Sequence, residues 1–282
     1  MSNELDLPNL LRSRLTMVGT LAAMKAGELL RKGFGTPMQF ETKKGRHNIV
    51  TEWDQKAEVV IIEFIKQHFP EHAFLAEESG ESGEAKEGIQ WIIDPIDGTV
   101  NFAHKIPMFS ISIAAVFQSE ILAGVVYNPM IDELFIAEKG NGAYLNGERL
   151  KVTETAILDS AIAATGFPYN VHENPLCCLD HFSTFAKMGI PIRRIGSAAL
   201  DLAYVAAGRF DTFWEVSLRP WDYAAGKLLI EEAGGQFTDF KGEPYSSLNE
   251  GAIIASNGIL HEQMLKNIQV TLEKKEKPSE TN

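Results

Sequence analysis

Residues 91–99, Trp-Ile-Ile-Asp-Pro-Ile-Asp-Gly-Thr, place two carboxylates three positions apart where a short apolar run meets a proline. Trp91, Ile92 and Ile93 are β-prone, and Pro95 has no N–H to give to a sheet ladder. The pattern predicts a strand that stops before Asp94, then a tight turn restricted at Pro95 and loosened at Gly98. Two carboxylates on one such turn repel each other unless a cation lies between them. Gly98 and Thr99 follow with backbone N–H groups suited to an anion at a helix start. A cation site beside an anion site suggests metal-assisted phosphate chemistry. A solvated acidic turn is the alternative that this stretch alone leaves open.

The rest of the chain narrows the class. Its 282 residues suffice for one large domain or two modest ones. Apolar content is ordinary and the charges are well mixed, the composition of a folded chain rather than a disordered one. A formal net charge of −12 argues against a broad nucleic-acid surface. The N-terminal residues lack the basic start and apolar stretch of a signal peptide. Residues 106–127 are apolar, but Gln118, Ser119 and Glu120 interrupt them, so they read as a hairpin and not a membrane span. Cys177 and Cys178 are adjacent, an arrangement poorly suited to a disulfide, which favours a reducing cytoplasm. No Cys/His spacing suggests zinc, and the seven histidines are scattered and read as structural or surface residues.

Periodicity predicts a helix over residues 7–33, with Leu7, Leu10, Leu11, Leu15, Val18, Leu21, Ala22, Leu29 and Leu30 on its apolar face. A second helix is expected from about 51 to 69, stopped by Pro70, then a strand over 73–77 and an acidic, Gly-rich loop over 80–88. Strands follow at 110–117, 121–128, 133–138 and 143–150, the last broken by an Asn146-Gly147 turn. The second half alternates strands (161–165, 193–195, 210–215, 236–240, 252–256) with helices (174–188, 197–207, 221–233, and from 258). No repeat or long linker separates independent units. The expectation is one α/β domain over 1–273, sheet-rich to about 152 and alternating from about 153, with a polar tail at 274–282.

Acids recur at the ends of these elements. Asp54 falls in the first turn of a helix, Glu77 and Glu78 end a strand, and Asp222 opens a later helix between Trp221 and Tyr223. Taken singly, Asp54 and Asp222 also read as charges favourable to a helix N-terminus, and Glu77-Glu78 as exposed acids.

Together with residues 91–102, the segments Phe74-Leu75-Ala76-Glu77-Glu78-Ser79 and Leu218-Arg219-Pro220-Trp221-Asp222-Tyr223-Ala224-Ala225-Gly226 resemble the signatures of the inositol monophosphatase family. The resemblance runs from the first helix to about Ile268 and looks closest to the family's bacterial branch, the extragenic-suppressor-like proteins. It implies a layered α-β-α-β-α sandwich and a Mg²⁺-dependent, lithium-sensitive phosphomonoesterase that forms homodimers. By matched position, Glu77, Asp94 and the Ile96 carbonyl would bind one metal and Asp94, Asp97 and Asp222 a second, with Glu77 touching a third. Such oxygen-only coordination suits Mg²⁺. Gly98 and Thr99 would hold the phosphate. Thr99 and Asp54, within Val50-Thr51-Glu52-Trp53-Asp54, match the pair that orients the attacking water, and Lys43 falls near a lysine at the site entrance.

On the substrate side the resemblance matches inositol-ring contacts to Gly196, Ser197, Ala198 and Glu215. Glu215 would accept hydrogen bonds from adjacent hydroxyls; its alternative reading is a strand-end surface acid. Arg193 and Arg194 serve either the site or a subunit interface. The expected substrate is a myo-inositol monophosphate. Fructose 1,6-bisphosphate, 3′-phosphoadenosine 5′-phosphate, histidinol phosphate and NADP are the alternatives, because relatives with the same metal motifs hydrolyse them. A different class of function, a protein-binding factor of the transcription machinery, is also implied by bacterial members, without an independent signal in the residues.

Overall fold

The helical spacing near the N-terminus forms α1 (Asn9–Gly33), which buries Leu15, Val18, Ala22, Ala23, Ala26 and Leu30. Leu10 and Leu21, expected on that face, are 74% and 41% exposed. At about 100° per residue they lie roughly 130–150° from the centre of the buried stripe, which alanines complete in place of leucines. The computed structural model describes residues 9–37, 40–42, 49–84, 88–245 and 248–276, so Leu7 and Lys43 lie outside the described residues.

Helix α1 packs on α2 (Glu52–His68), and a short ribbon, β1 (Phe40–Thr42) against β2 (Ile49–Thr51), leads into α2. Both helices lie on one face of an eight-stranded sheet. Its strands are β3 (Ala73–Ala76), β4 (Gly80–Ser82), β5 (Ile89–Asp97), β6 (Ser110–Phe117), β7 (Glu120–Asn128), β8 (Glu133–Glu138), β9 (Gly142–Leu145) and β10 (Glu148–Arg149). They are arranged β10-β9-β8-β7-β6-β5-β3-β4, with β3 parallel to β5 and every other pair antiparallel. Two-residue turns with positive φ at both centres, Gln118-Ser119 and Asn146-Gly147, close two of the hairpins, as the right-handed strand twist favours.

Two expectations need correction. The strand through Trp91 does not stop at Ile93: β5 continues to Asp97, where it pairs with Ser110. A register shift between Asp94 and Asp97 absorbs Pro95, whose missing N–H then interrupts no regular ladder. Residues 80–82, expected in a loop, form edge strand β4. Pairing with β3 overrides the low strand preference of glycine and acidic side chains.

The second sheet has the order β12-β11-β13-β15-β14, built from β11 (Ala163–Thr165), β12 (Ile192–Arg193), β13 (Thr212–Leu218), β14 (Gln236–Asp239) and β15 (Gly251–Ser256). After a one-turn α3 (Thr99–Ala103), the later helices are α4 (Cys178–Lys187), α5 (Ala198–Ala206), α6 (Pro220–Glu232) and α7 (His261–Glu276). Helices α5 and α6 lie between the sheets, and α4 and α7 cover the outer side of the smaller one. The order of layers is therefore α-β-α-β-α, as expected. Among the described residues no helix is long and apolar enough to cross a membrane, and Cys177 and Cys178 are buried and unbridged.

Contact between the large sheet and α6 depends on Gly124 in β7. A Cβ there would lie 2.9 Å from the Ala225 carbonyl oxygen and 3.1 Å from its Cα. Both are helix backbone, which cannot rotate away as a side chain does. Gly124→Ala is expected to destabilise the protein by about 1–3 kcal/mol through overpacking. Urea unfolding should show a lower midpoint with unchanged slope; an unaltered midpoint would contradict this packing.

Candidate active site

The site lies where three helix starts and the end of β5 meet. Thr51 caps α2, and Asp54, three residues on, closes the capping box: Asp54 Oδ2 accepts from the Thr51 N–H at 2.8 Å and its hydroxyl at 2.6 Å. The other oxygen, Oδ1, accepts from the Thr99 hydroxyl at 2.9 Å, which joins α2 to the turn after β5. The same hydroxyl also lies 3.0 Å from the Ile96 carbonyl. It has one proton, and the carboxylate is the stronger acceptor. Donation to Asp54 leaves the lone pairs of Thr99 available to a water.

Asp94 and Asp97 flank the bulge of β5, and Asp222 stands in the first turn of α6 after Pro220. One carboxylate oxygen from each lies within 4.8 Å of the others. Each acid is held by a donor. Asp94 Oδ1 accepts from the Ile96 N–H at 2.9 Å, and Asp222 Oδ2 from the Arg219 N–H at 2.7 Å. Asp97 Oδ2 accepts from the Ser197 hydroxyl and the Ala199 N–H, both at 2.6 Å, at the start of α5. Gly98, with φ of 102°, turns the chain into α3, and a Cβ there would meet the Gly196 carbonyl at 3.0 Å. Asn101 donates to the Met108 and Ile195 carbonyls at 2.6 and 2.7 Å, fixing the 195–196 turn against α3.

Glu77, just past β3, is part-buried and its charge acts on Asp94, Asp97 and Asp222. Its turn is anchored from behind by Glu58 of α2, whose carboxylate accepts from the Glu78 and Ser79 N–H groups at 2.9 and 3.0 Å. Glu215, read alternatively as a surface acid, is buried at 8% exposure within β13. Gly166 makes room for it: a Cβ at 166 would fall 2.0 Å from Glu215 Oε2.

Loss of water dominates the electrostatics, followed by mutual repulsion. Burial, with Glu77, Asp97 and Asp222 nearby, holds the Asp94 carboxyl well above the usual carboxylate range. Asp222 is raised likewise by burial, then by Asp97 and Glu77. Asp54 and Asp97 are each pushed up to about 6 by burial, against the hydrogen bonds that favour their charged forms. Burial and Asp97 take Glu215 to about 8.

The structure thus brings together Asp54, Thr99, Glu77, Asp94, Ile96, Asp97, Asp222, Gly98, Gly196, Ser197, Ala198 and Glu215. Lys43 is not among the described residues. Sequence reasoning missed three neighbours. Glu58 gives no signal because its partners are backbone groups twenty residues away. Asp201 reads as an ordinary first-turn acid of α5. Tyr169 sits in the loop after β11; its hydroxyl is pushed up to about 12 by lost water and then by Glu77, Asp222, Asp97 and Asp94, although the residue is 56% exposed.

The donor set fits a hard divalent cation: every side chain offers oxygen, and the cluster's unbalanced negative charge is what such an ion relieves.

Residues 11–273 match the model of the inositol monophosphatase family. The chain is 44% identical over 253 residues to the Nus factor SuhB of Escherichia coli, covering 89% of this chain and 94% of that protein. It is 42% identical over 265 residues to the inositol-1-monophosphatase of Mesorhizobium japonicum, covering 93% and 98%. The crystal structure of extragenic suppressor protein suhB from Bartonella henselae superposes with a TM-score of 0.84 at 40% identity, covering 91% of this chain and 98% of that one. An IMPase/NADP phosphatase complexed with Mg²⁺ and phosphate superposes with a TM-score of 0.73 at 27% identity, covering 92% and 93%. The chain belongs to the inositol monophosphatase family, a family of phosphatases.

The raised carboxyls have a thermodynamic consequence. Their folded pKa values exceed the unfolded values near 4, so the stability they contribute is complete below about 4 and is lost as pH rises through the folded values. In metal-free protein the melting temperature should therefore fall between pH 6 and 8, and added Mg²⁺ at pH 8 should restore it. Asp94→Asn should flatten both responses. A melting temperature in the wild-type chain that ignores Mg²⁺ at pH 8 would overturn this account of the cluster.

Proposed function

We propose that this member of the inositol monophosphatase family hydrolyses a phosphate monoester of a small polyol, a myo-inositol monophosphate first among candidates, with Mg²⁺ bound at the acid cluster. The observation that carries the reading is the convergence of Asp94, Asp97 and Asp222 within 4.8 Å beside the Thr99–Asp54 hydrogen bond. Glu77, Asp94, Asp97, Asp222 and the Ile96 carbonyl would hold the ions. When bound, such ions would screen the phosphate charge, lower the pKa of a water and stabilise the departing oxygen.

The protein's own groups do the rest. Thr99, its proton committed to Asp54, turns its oxygen lone pairs to the attacking water and fixes that water's direction. Asp54 is held from both sides, so the pair does not swing. The backbone around Gly98 and Thr99 meets the phosphate at the start of α3. Gly196, Ser197 and Ala198 at the start of α5, with Glu215, face the alcohol half, and Lys43 is assigned to the entrance. No protein nucleophile is required, which agrees with a site built from carboxylates and one threonine.

A second reading concerns partners. The 44% identity to a Nus factor favours an added role in binding transcription proteins; the Asp94→Asn chain should then still recover RNA polymerase subunits from a bacterial lysate. Homodimerisation is assigned on family grounds and is checked by sedimentation.

Phosphate release should depend on Mg²⁺, and Asp94→Asn should reduce kcat by at least 10³-fold, the scale on which a preorganised electrostatic group acts, with the fold intact by circular dichroism. Turnover of inositol 1-phosphate should exceed that of fructose 1,6-bisphosphate and 3′-phosphoadenosine 5′-phosphate. Preference for either of the last two would overturn the substrate assignment, and strong residual activity of Asp94→Asn at saturating Mg²⁺ would overturn the metal assignment.

A further inference from the structure

Helix α2 carries two buried acids one turn apart, and the proposed chemistry uses only the first. Asp54 and Glu58 are 0% and 4% exposed. Four residues apart, they lie on one face of the helix, about 6 Å from each other along its axis. Asp54 reaches the Thr99 turn. Glu58 reaches the three-residue turn 77–79 that joins β3 to β4. Its Oε2 accepts from the Glu78 N–H at 2.9 Å and its Oε1 from the Ser79 N–H at 3.0 Å.

The residue before these two donors is Glu77, whose own N–H donates to the Ile93 carbonyl at 3.1 Å, one residue ahead of Asp94. The backbone of Glu77 is therefore held on both sides, by the strand that carries Asp94 and Asp97 and by the Glu58 carboxylate. Such holding matters because Glu77 is not one of the three acids that lie within 4.8 Å of one another. Its reach to an ion they share is set by where this backbone stands. Stability alone is a poor account of Glu58. Ser79 is exposed, and N–H groups of a surface turn can be satisfied by water. A carboxylate taken out of water loses hydration that two N–H bonds replace only in part. What the two-pronged grip adds is direction.

We propose that Glu58 is a positioning residue for metal binding: through the Glu78 and Ser79 N–H groups it sets where Glu77 stands, and so the affinity of the acid cluster for Mg²⁺. The proposal rests on the assignment of Glu77 as a metal ligand. Groups that hold a metal ligand from behind change metal affinity by about 10–100-fold when altered. Glu58 does so here by gripping the main chain beside the ligand. An amide at 58 would set an NH₂ group against one of the two N–H donors, and that bond would be lost.

Calorimetric titration of the metal-free protein with Mg²⁺ alone, without substrate, tests it. Glu58→Gln should weaken binding about tenfold, the lower end of that range. The Mg²⁺ concentration that gives half-maximal phosphate release should rise by a similar factor, and excess Mg²⁺ should recover most of kcat. In a Glu77→Ala background Glu58→Gln should weaken binding no further, because the two residues act through one ligand. Unchanged Mg²⁺ affinity in a folded Glu58→Gln chain would overturn the role and leave Glu58 a support of the turn alone. An equal effect of Glu58→Gln with and without Glu77 would also overturn it, since a charge acting through space behaves in that way. If Glu77→Ala binds Mg²⁺ as tightly as the wild-type chain, the assignment of Glu77 has failed and the proposal fails with it. Should Glu58→Gln not fold, Glu58→Asp, whose shorter stem draws both oxygens back from the turn, takes its place with the same expectations.

Discussion

The repulsion among acids gathered in one buried place is the constraint to which the surrounding structure answers. Carboxylates from the end of β5 and the start of α6 come within 4.8 Å, and Glu77 adds its charge from past β3. Left to themselves in water these groups would separate. The fold opposes this with a fixed donor for each: Thr51 for Asp54, Ile96 for Asp94, Ser197 and Ala199 for Asp97, Arg219 for Asp222. Three of these arrangements occur at helix starts, where unsatisfied N–H groups and the helix dipole already favour negative charge. The acids are thereby aimed as well as tolerated. A cation that binds there meets ligands whose directions are already set, so little ordering remains to oppose binding.

Holding such a cluster lowers stability in the metal-free protein, since burial raises the carboxyls of Asp54, Asp94, Asp97 and Asp222. The cost is offset elsewhere. Three apolar layers, α1 and α2 on the large sheet, α5 and α6 between sheets, α4 and α7 on the small sheet, bury the bulk of the side chains. The contact of Gly124 with the backbone of α6 brings the large sheet close to the helix that carries Asp222. Packing far from the chemistry therefore sets distances within it.

Much of this could be read in the sequence, and the limits of that reading have physical causes. The helices and strands followed from helical and alternating periodicities, whereas the layer order and the joint role of the acids at element ends came from the resemblance to the family's signature segments. The bulge in β5 was not, because Pro95 ordinarily ends a strand and only the neighbouring β6 shows that the ladder resumes at Asp97. Leu10 and Leu21 match a helical period, yet period alone does not say which stripe faces the sheet. Glu58 was invisible because it depends on a contact with a distant segment, and Asp201 because only the tertiary structure buries it; nothing local distinguishes either from a solvated helix acid. Burial decides their character, and burial belongs to the tertiary structure.

The division of labour between the two halves follows from the same geometry. The first half contributes the bulged strand, its threonine and the capping box, a hydrogen-bonded unit that the proposed function assigns to phosphate and water. The second half contributes one acid of the cluster, Asp222, together with the start of α5 and Glu215, the groups that the proposed function assigns to the alcohol. The halves meet through Asp97, which accepts from Ser197 and Ala199, and through Asn101, which grips the turn before α5. Chemistry common to any phosphate ester is thus anchored in backbone and capping contacts that tolerate little change. In the proposed function, recognition of the alcohol falls instead to side chains such as Glu215, which lies outside the acid cluster. A site of this construction can change its substrate while keeping its reaction.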